Sequence, residues 1–138
     1  MKKIATFGVF DIIHPGHIKF LEECKHLAKN SELTVVIARD STVVKEKGKK
    51  PVIPEEQRKF IVQSLKLVDK VVLGNEGSDK LKIVKQIKPD IIVLGYDQPW
   101  DEEQLKKELE KRGLKIQIVR LNKYCDISST RIKNKIKF

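Results

Sequence analysis

Two histidines three positions apart, His14 and His17, frame Pro15-Gly16 directly after the apolar run Ile4-Ala5-Thr6-Phe7. This order predicts two imidazoles at the mouth of a strand-to-helix turn. There the helix start offers backbone N–H groups without intrahelical partners and about half a unit of positive charge. Both attract phosphate oxygens, and imidazoles add side-chain donors. Isolated histidines more often just cap a helix. A pair placed between a strand and a helix favours a polyphosphate site. Gly8, at the strand end, allows a ligand close to the backbone.

Other segments offer groups of the same kind. Lys45-Glu46-Lys47-Gly48-Lys49-Lys50 is dense in ammonium groups, most of which are expected to be solvated surface. Gly95-Tyr96-Asp97-Gln98 follows an apolar run, so Asp97 is placed to accept from a ribose hydroxyl or a base amine. Tyr96 and Trp100 are candidates to flank a ring, with packing an even alternative for Trp100. Ser128-Ser129-Thr130 reads as a helix cap, and a capped helix start is also an anion site.

The pattern that must position these groups alternates short β-branched runs with longer amphipathic ones. Strands are predicted at Lys3–Val9, Leu33–Ala38, Lys70–Leu73, Ile91–Leu94 and Lys115–Leu121. Their near-continuous Val, Ile and Leu suits strands covered on both faces. Helices are predicted at about Gly16–Lys29, from Pro54, at about Ser78–Ile87, between an Asp101 cap and Gly113, and near Ser129. The long stretch Arg39–Ile53 shows no periodicity and is expected to be a functional or mobile loop. The alternation predicts an α/β fold: a Rossmann-like open parallel sheet of about five strands with helices on both faces. Ligands of such sheets bind beyond the carboxyl ends of the strands, where strand order reverses.

At 138 residues the chain is expected to be a single domain, residues 1–138. No apolar stretch approaches bilayer length, and no secretory signal is read, so a cytoplasmic protein without membrane partners is expected. Cys24 and Cys125 are expected to be reduced, and neither matches a metal site. The net charge of +10 is spread along the chain, and aromatics make up only 6%. That argues against a stacking platform for nucleic acid, and no nucleic-acid partner is expected.

Gly8-Val9-Phe10-Asp11-Ile12-Ile13-His14-Pro15-Gly16-His17 resembles the motif of the cytidylyltransferase-like nucleotidyltransferases. The resemblance implies that His14 and His17 contact nucleotide phosphates and stabilise the transition state. It adds Gly8, Phe10, Gly95 and Asp97 to the nucleotide site. It implies a catalytic lysine on a mobile loop, Lys47 by its following glycine or Lys45 otherwise. Arg58 would lie near the acceptor phosphate, and Asp11 would help place the acceptor or a metal. Ile127-Ser128-Ser129-Thr130 would bind the β- and γ-phosphates, with Lys123 standing where better-known cytidylyltransferases carry arginine. Ala38-Arg39-Asp40, Lys47–Arg58 and Pro89–Gln98 most resemble archaeal single-domain FAD synthases. These transfer AMP from ATP to FMN, giving FAD and pyrophosphate. The alternatives are cytidylyl or adenylyl transfer to glycerol 3-phosphate or a sugar phosphate, or non-catalytic nucleotide binding. Mg²⁺ or another divalent cation is expected to arrive with ATP, and the family implies a homodimer.

Overall fold

The computed structural model describes residues 1–77 and 79–122. Its elements are β1 (Lys2–Gly8), α1 (Pro15–Lys25), β2 (Ser31–Ile37), α2 (Asp40–Lys47), α3 (Glu55–Gln63), β3 (Lys70–Leu73), α4 (Lys82–Ile87), β4 (Ile91–Leu94), α5 (Glu102–Lys111) and β5 (Gln117–Arg120). The strands form one sheet in the order β3-β2-β1-β4-β5, and every pairing is parallel. The chain winds outward from β1 to β3, then crosses back to β4 on the other side of β1. The strand order therefore reverses between β1 and β4, and the crevice there opens at their carboxyl ends.

Successive strand residues point to opposite faces, and the core divides accordingly. Leu33, Val35 and Ile37 of β2 join Ile91 and Val93 of β4 beneath Leu21 of α1 and Val62 of α3. Val36, Ile92 and Leu94 face the other way, onto Val84 of α4 and Leu105 and Leu109 of α5. Both faces are thus covered, which is why the strands read as unbroken apolar runs. Thr6, buried in β1, donates its hydroxyl proton to the Val93 carbonyl at 2.9 Å, so the central strand pair carries one satisfied polar link.

The predicted strands all appear within two residues of their expected ends. Asp101 caps α5, its carboxylate accepting from Glu103 and Gln104 N–H, and Gly113 follows the helix at φ 76°. Pro54 precedes α3 as its cap. The helix starting near Ser129 lies outside the described residues. The expectation for Arg39–Ile53 is corrected, because eight of those residues form α2, closed by Gly48 at φ 78°. Only Val43 of α2 is buried, so the helix lacks the apolar face that would reveal it in the sequence.

Candidate functional site

The histidine turn is built by its own imidazoles. His14 is the N-cap of α1, with extended backbone (φ −141°, ψ 172°), and Pro15 opens the helix. His14 Nδ1 accepts from Gly16 N–H at 3.0 Å, and His17 Nδ1 accepts from His14 N–H at 3.2 Å. The pair forms a capping box in which two imidazoles replace the usual hydroxyl and carboxylate. The two functions weighed in the sequence are therefore compatible. An Nδ1 that accepts a hydrogen bond carries no proton, so each neutral ring holds its proton on Nε2. Capping uses one nitrogen of each ring and leaves each ring an Nε2–H donor. Burial lowers both pKa values, that of His17 to about 4 with a smaller contribution from neighbouring His14. At neutral pH the site therefore presents neutral N–H donors beside a helix start.

Phe10 sets the height of this turn. It is 6% exposed, adopts φ 49°, and its ring lies 5.5 Å from that of His17. A Cβ on Gly8 would sit 2.6 Å from Phe10 Cε2. Glycine at position 8 is thus required by the protein's own ring. The sequence attributed that need to a ligand. Positive φ on an aromatic residue costs roughly 1 kcal/mol or more, which the packing around the ring must offset.

Across the carboxyl end of β2, charged groups tie the segment 38–58 down. Asp11, 2% exposed, accepts from Val52 N–H at 2.9 Å and Ile53 N–H at 2.8 Å while also bordering the cavity. Arg58 has no exposed surface. Its Nε donates to the Ile53 carbonyl, Nη1 to the Val9 and Ala38 carbonyls, and Nη2 to Asp40 Oδ1, at 2.6–2.8 Å. The expected place of Arg58 at an acceptor phosphate is corrected: its guanidinium is enclosed by the chain and does not border the cavity. Arg39 bonds the Gly74 carbonyl and Glu55, so the ends of β2 and β3 are joined as well.

On the other side of the crevice, Gln98 bridges β1 and β4. Its Oε1 accepts from Gly95 N–H at 2.8 Å and its Nε2 donates to the Phe7 carbonyl at 2.6 Å. Arg120, at the end of β5, donates to the carbonyls of Gly95, Gln98 and Trp100 and to Glu102. It fixes the loop that carries Asp97. Sequence reasoning missed Arg120, although an arginine closing an apolar strand run was a visible signal.

The crevice encloses a cavity of about 430 Å³. Gly8, Phe10, Asp11, His14, His17, Gly95 and Asp97 all border it. So does Lys47, in the last turn of α2, whereas Lys45 does not. The expected mobile loop for this lysine is corrected to a helix end. Lys80, also on the cavity wall, was not anticipated; in a chain with 29 Lys and Arg nothing singles it out. Ser128, Ser129, Thr130 and Cys125 lie outside the described residues. Cys24 is fully buried with its pKa pushed up to about 12, the state of an inert core thiol. Among the described residues no three His, Cys, Asp or Glu cluster as a metal site, and no helix is long and apolar enough to cross a membrane.

A five-stranded parallel sheet with paired imidazole donors at its switch point is an α/β arrangement suited to holding phosphate oxygens. The cytidylyltransferase-like family model matches residues 5–135, and the chain belongs to that family. It is 50% identical over 133 residues to an FAD synthase of Aciduliprofundum boonei, covering 95% of this chain and 87% of that one. An FAD synthase of Ferroglobus placidus is also 50% identical, covering 94% and 84%. Among solved structures, the lipopolysaccharide core biosynthesis protein of Thermoplasma volcanium superposes with a TM-score of 0.84 at 47% identity, covering 91% of this chain and 99% of that one.

Proposed function

We propose that the protein transfers AMP from ATP to FMN, giving FAD and pyrophosphate. The observation that carries the reading is the histidine capping box, which supplies two neutral Nε2–H donors at the switch point of a family whose curated relatives are FAD synthases at about 50% identity. An oxygen of the FMN phosphate attacks the α-phosphorus of ATP in line. A new P–O bond forms, the bond to the bridging α–β oxygen breaks, and pyrophosphate leaves. No covalent enzyme intermediate is needed.

In this reading His14 and His17 donate to the phosphate oxygens as charge shifts toward the leaving group, at the positive end of α1. Their neutral state matters: the donors are present without a fixed positive charge that would hold the ground-state triphosphate equally well. Lys47 supplies the charge, as an ammonium on the last turn of α2. Gly95 and Asp97 hold the nucleoside. Ser128, Ser129 and Thr130 are assigned to the outer phosphates on the family pattern alone. Each Asp11 carboxylate oxygen accepts a backbone N–H, and no cluster of three metal ligands occurs among the described residues, so a divalent cation would come with the nucleotide and would offset phosphate charge.

The decisive experiment measures pyrophosphate release with ATP and CTP, each against FMN, glycerol 3-phosphate and heptose 1-phosphate. Release with ATP and FMN is expected. The Thermoplasma relative, named for lipopolysaccharide core biosynthesis, makes a sugar phosphate the competing acceptor, and activity confined to that acceptor would replace FMN.

A further inference from the structure

The cavity reaches both faces of the sheet. Toward α1 the two histidines border it together with Phe10 and Phe20. Toward α4 its wall is apolar: Phe7, Val36, Ile83 and Trp100 border it, and all pack in the core cluster on that face of the sheet. The Lys80 ammonium stands against this apolar wall. It lies 5.8 Å from the centre of the Trp100 ring and pairs with Glu46 of α2. Trp100 is itself fixed, its ring 5.6 Å from that of Phe7 and its carbonyl held by Arg120.

We propose that this α4-side end receives the ring system of the acceptor, with the Lys80 ammonium donating to the ring's carbonyl-bearing edge. The inference rests on FMN as the acceptor and assigns it a subsite. ATP and FMN each bring one ring system, and both phosphates must meet at the histidines, so the rings must diverge. Isoalloxazine has an apolar dimethylbenzene half and a pyrimidine edge rich in carbonyl and ring-nitrogen acceptors. An apolar slot with an ammonium matches both halves. Adenine presents an exocyclic amine donor, which an ammonium would repel. It fits better beside the carboxylate of Asp97 on the other side of the crevice. An ammonium has three N–H donors, of which the Glu46 pair engages one. Partial burial lowers the Lys80 pKa and makes a bond to it stronger than one in open water.

The test compares Lys80→Met and Lys80→Arg with wild type in steady-state kinetics, with thermal unfolding as the control on folding. Lys80→Met is expected to raise KM for FMN about tenfold while KM for ATP stays within about twofold; Lys80→Arg, which keeps the donors, recovers most of the loss. A second readout needs no turnover: wild type quenches FMN fluorescence through the nearby indole, and Trp100→Leu loses most of that quenching. Equal effects on both substrates, an effect on ATP alone, no change in Lys80→Met, or undiminished quenching in Trp100→Leu overturns the subsite. Wild-type protein that neither binds FMN nor releases pyrophosphate with it overturns the assignment of the acceptor instead, so the two failures are distinct.

Discussion

The histidine turn borders the cavity, the Arg58 strap is buried away from it, and the two use their polar groups in opposite ways. Arg58 gives every arm of its guanidinium to the chain, three bonds to carbonyls and one to Asp40. His14 and His17 each give one ring nitrogen to the capping box and keep the other. A charged residue beside a site is therefore not yet a ligand-binding residue. What counts is the donor capacity left after the fold has taken its share.

The sharpest break of this contrast removes one imidazole. His17→Ala is expected to lower kcat about 10³-fold, the scale seen when a transition-state donor is deleted. Loss of half a capping box should cost only about 1 kcal/mol of stability. Pyrophosphate release and thermal unfolding measured on one preparation separate the two effects. Turnover near wild type would remove the imidazole from the chemistry.

Arg58→Met should show the reverse profile. It leaves Asp40 without its partner and three carbonyls without a donor, with an expected loss of about 3 kcal/mol or more. Denaturant unfolding measures it. If stability holds and only KM for FMN rises, Arg58 reaches the acceptor after all.

Acid should expose the same division with a smaller effect. His17 titrates near 4 in the folded protein and near 6.5 unfolded. Between those values the unfolded chain binds more protons, so stability is complete above about pH 6.5 and falls as the pH drops toward 4. The loss is on the order of 3 kcal/mol at most. His17→Gln should flatten that part of the stability–pH curve. An unchanged slope would place the acid sensitivity elsewhere.

The sheet and the histidine turn were legible because each has a strong local signal: continuous β-branched runs for strands covered on both faces, and a Pro-Gly turn between histidines after one of them. The α2 helix was not, because its single buried residue leaves no apolar period to read. Arg58 was placed at the acceptor on resemblance, with pairing to Glu55 or a nearby aspartate as the alternative, and the structure pairs it with Asp40. Two of its other partners, the Val9 and Ala38 carbonyls, lie 49 and 20 residues away, and no short-range pattern encodes that. Lys80 carried no signal, since its distinction is a neighbouring tryptophan brought in from the loop after β4.

Two of the glycines that border the cavity, Gly8 and Gly95, carry the comparison to single-atom scale. A Cβ on Gly8 would lie 2.6 Å from the Phe10 ring, and that ring is buried and packed on His17. Phe10 cannot swing aside without opening the core. Gly8→Ala is therefore expected to cost about 1–3 kcal/mol of stability, with kcat falling as the imidazole loses its backing. A Cβ on Gly95 would meet nothing closer than 3.5 Å, the distance to Asp97 Oδ1, and Gly95 does not have positive φ. The chain does not itself require glycine there. Gly95→Ala should unfold within about 0.5 kcal/mol of wild type, the range of a substitution that touches nothing special. If the nucleoside passes over this backbone, the added methyl should still raise KM for ATP severalfold. A Gly95→Ala variant with unchanged stability and unchanged KM would move the nucleoside off the β4 side of the crevice and leave the histidine turn where it is.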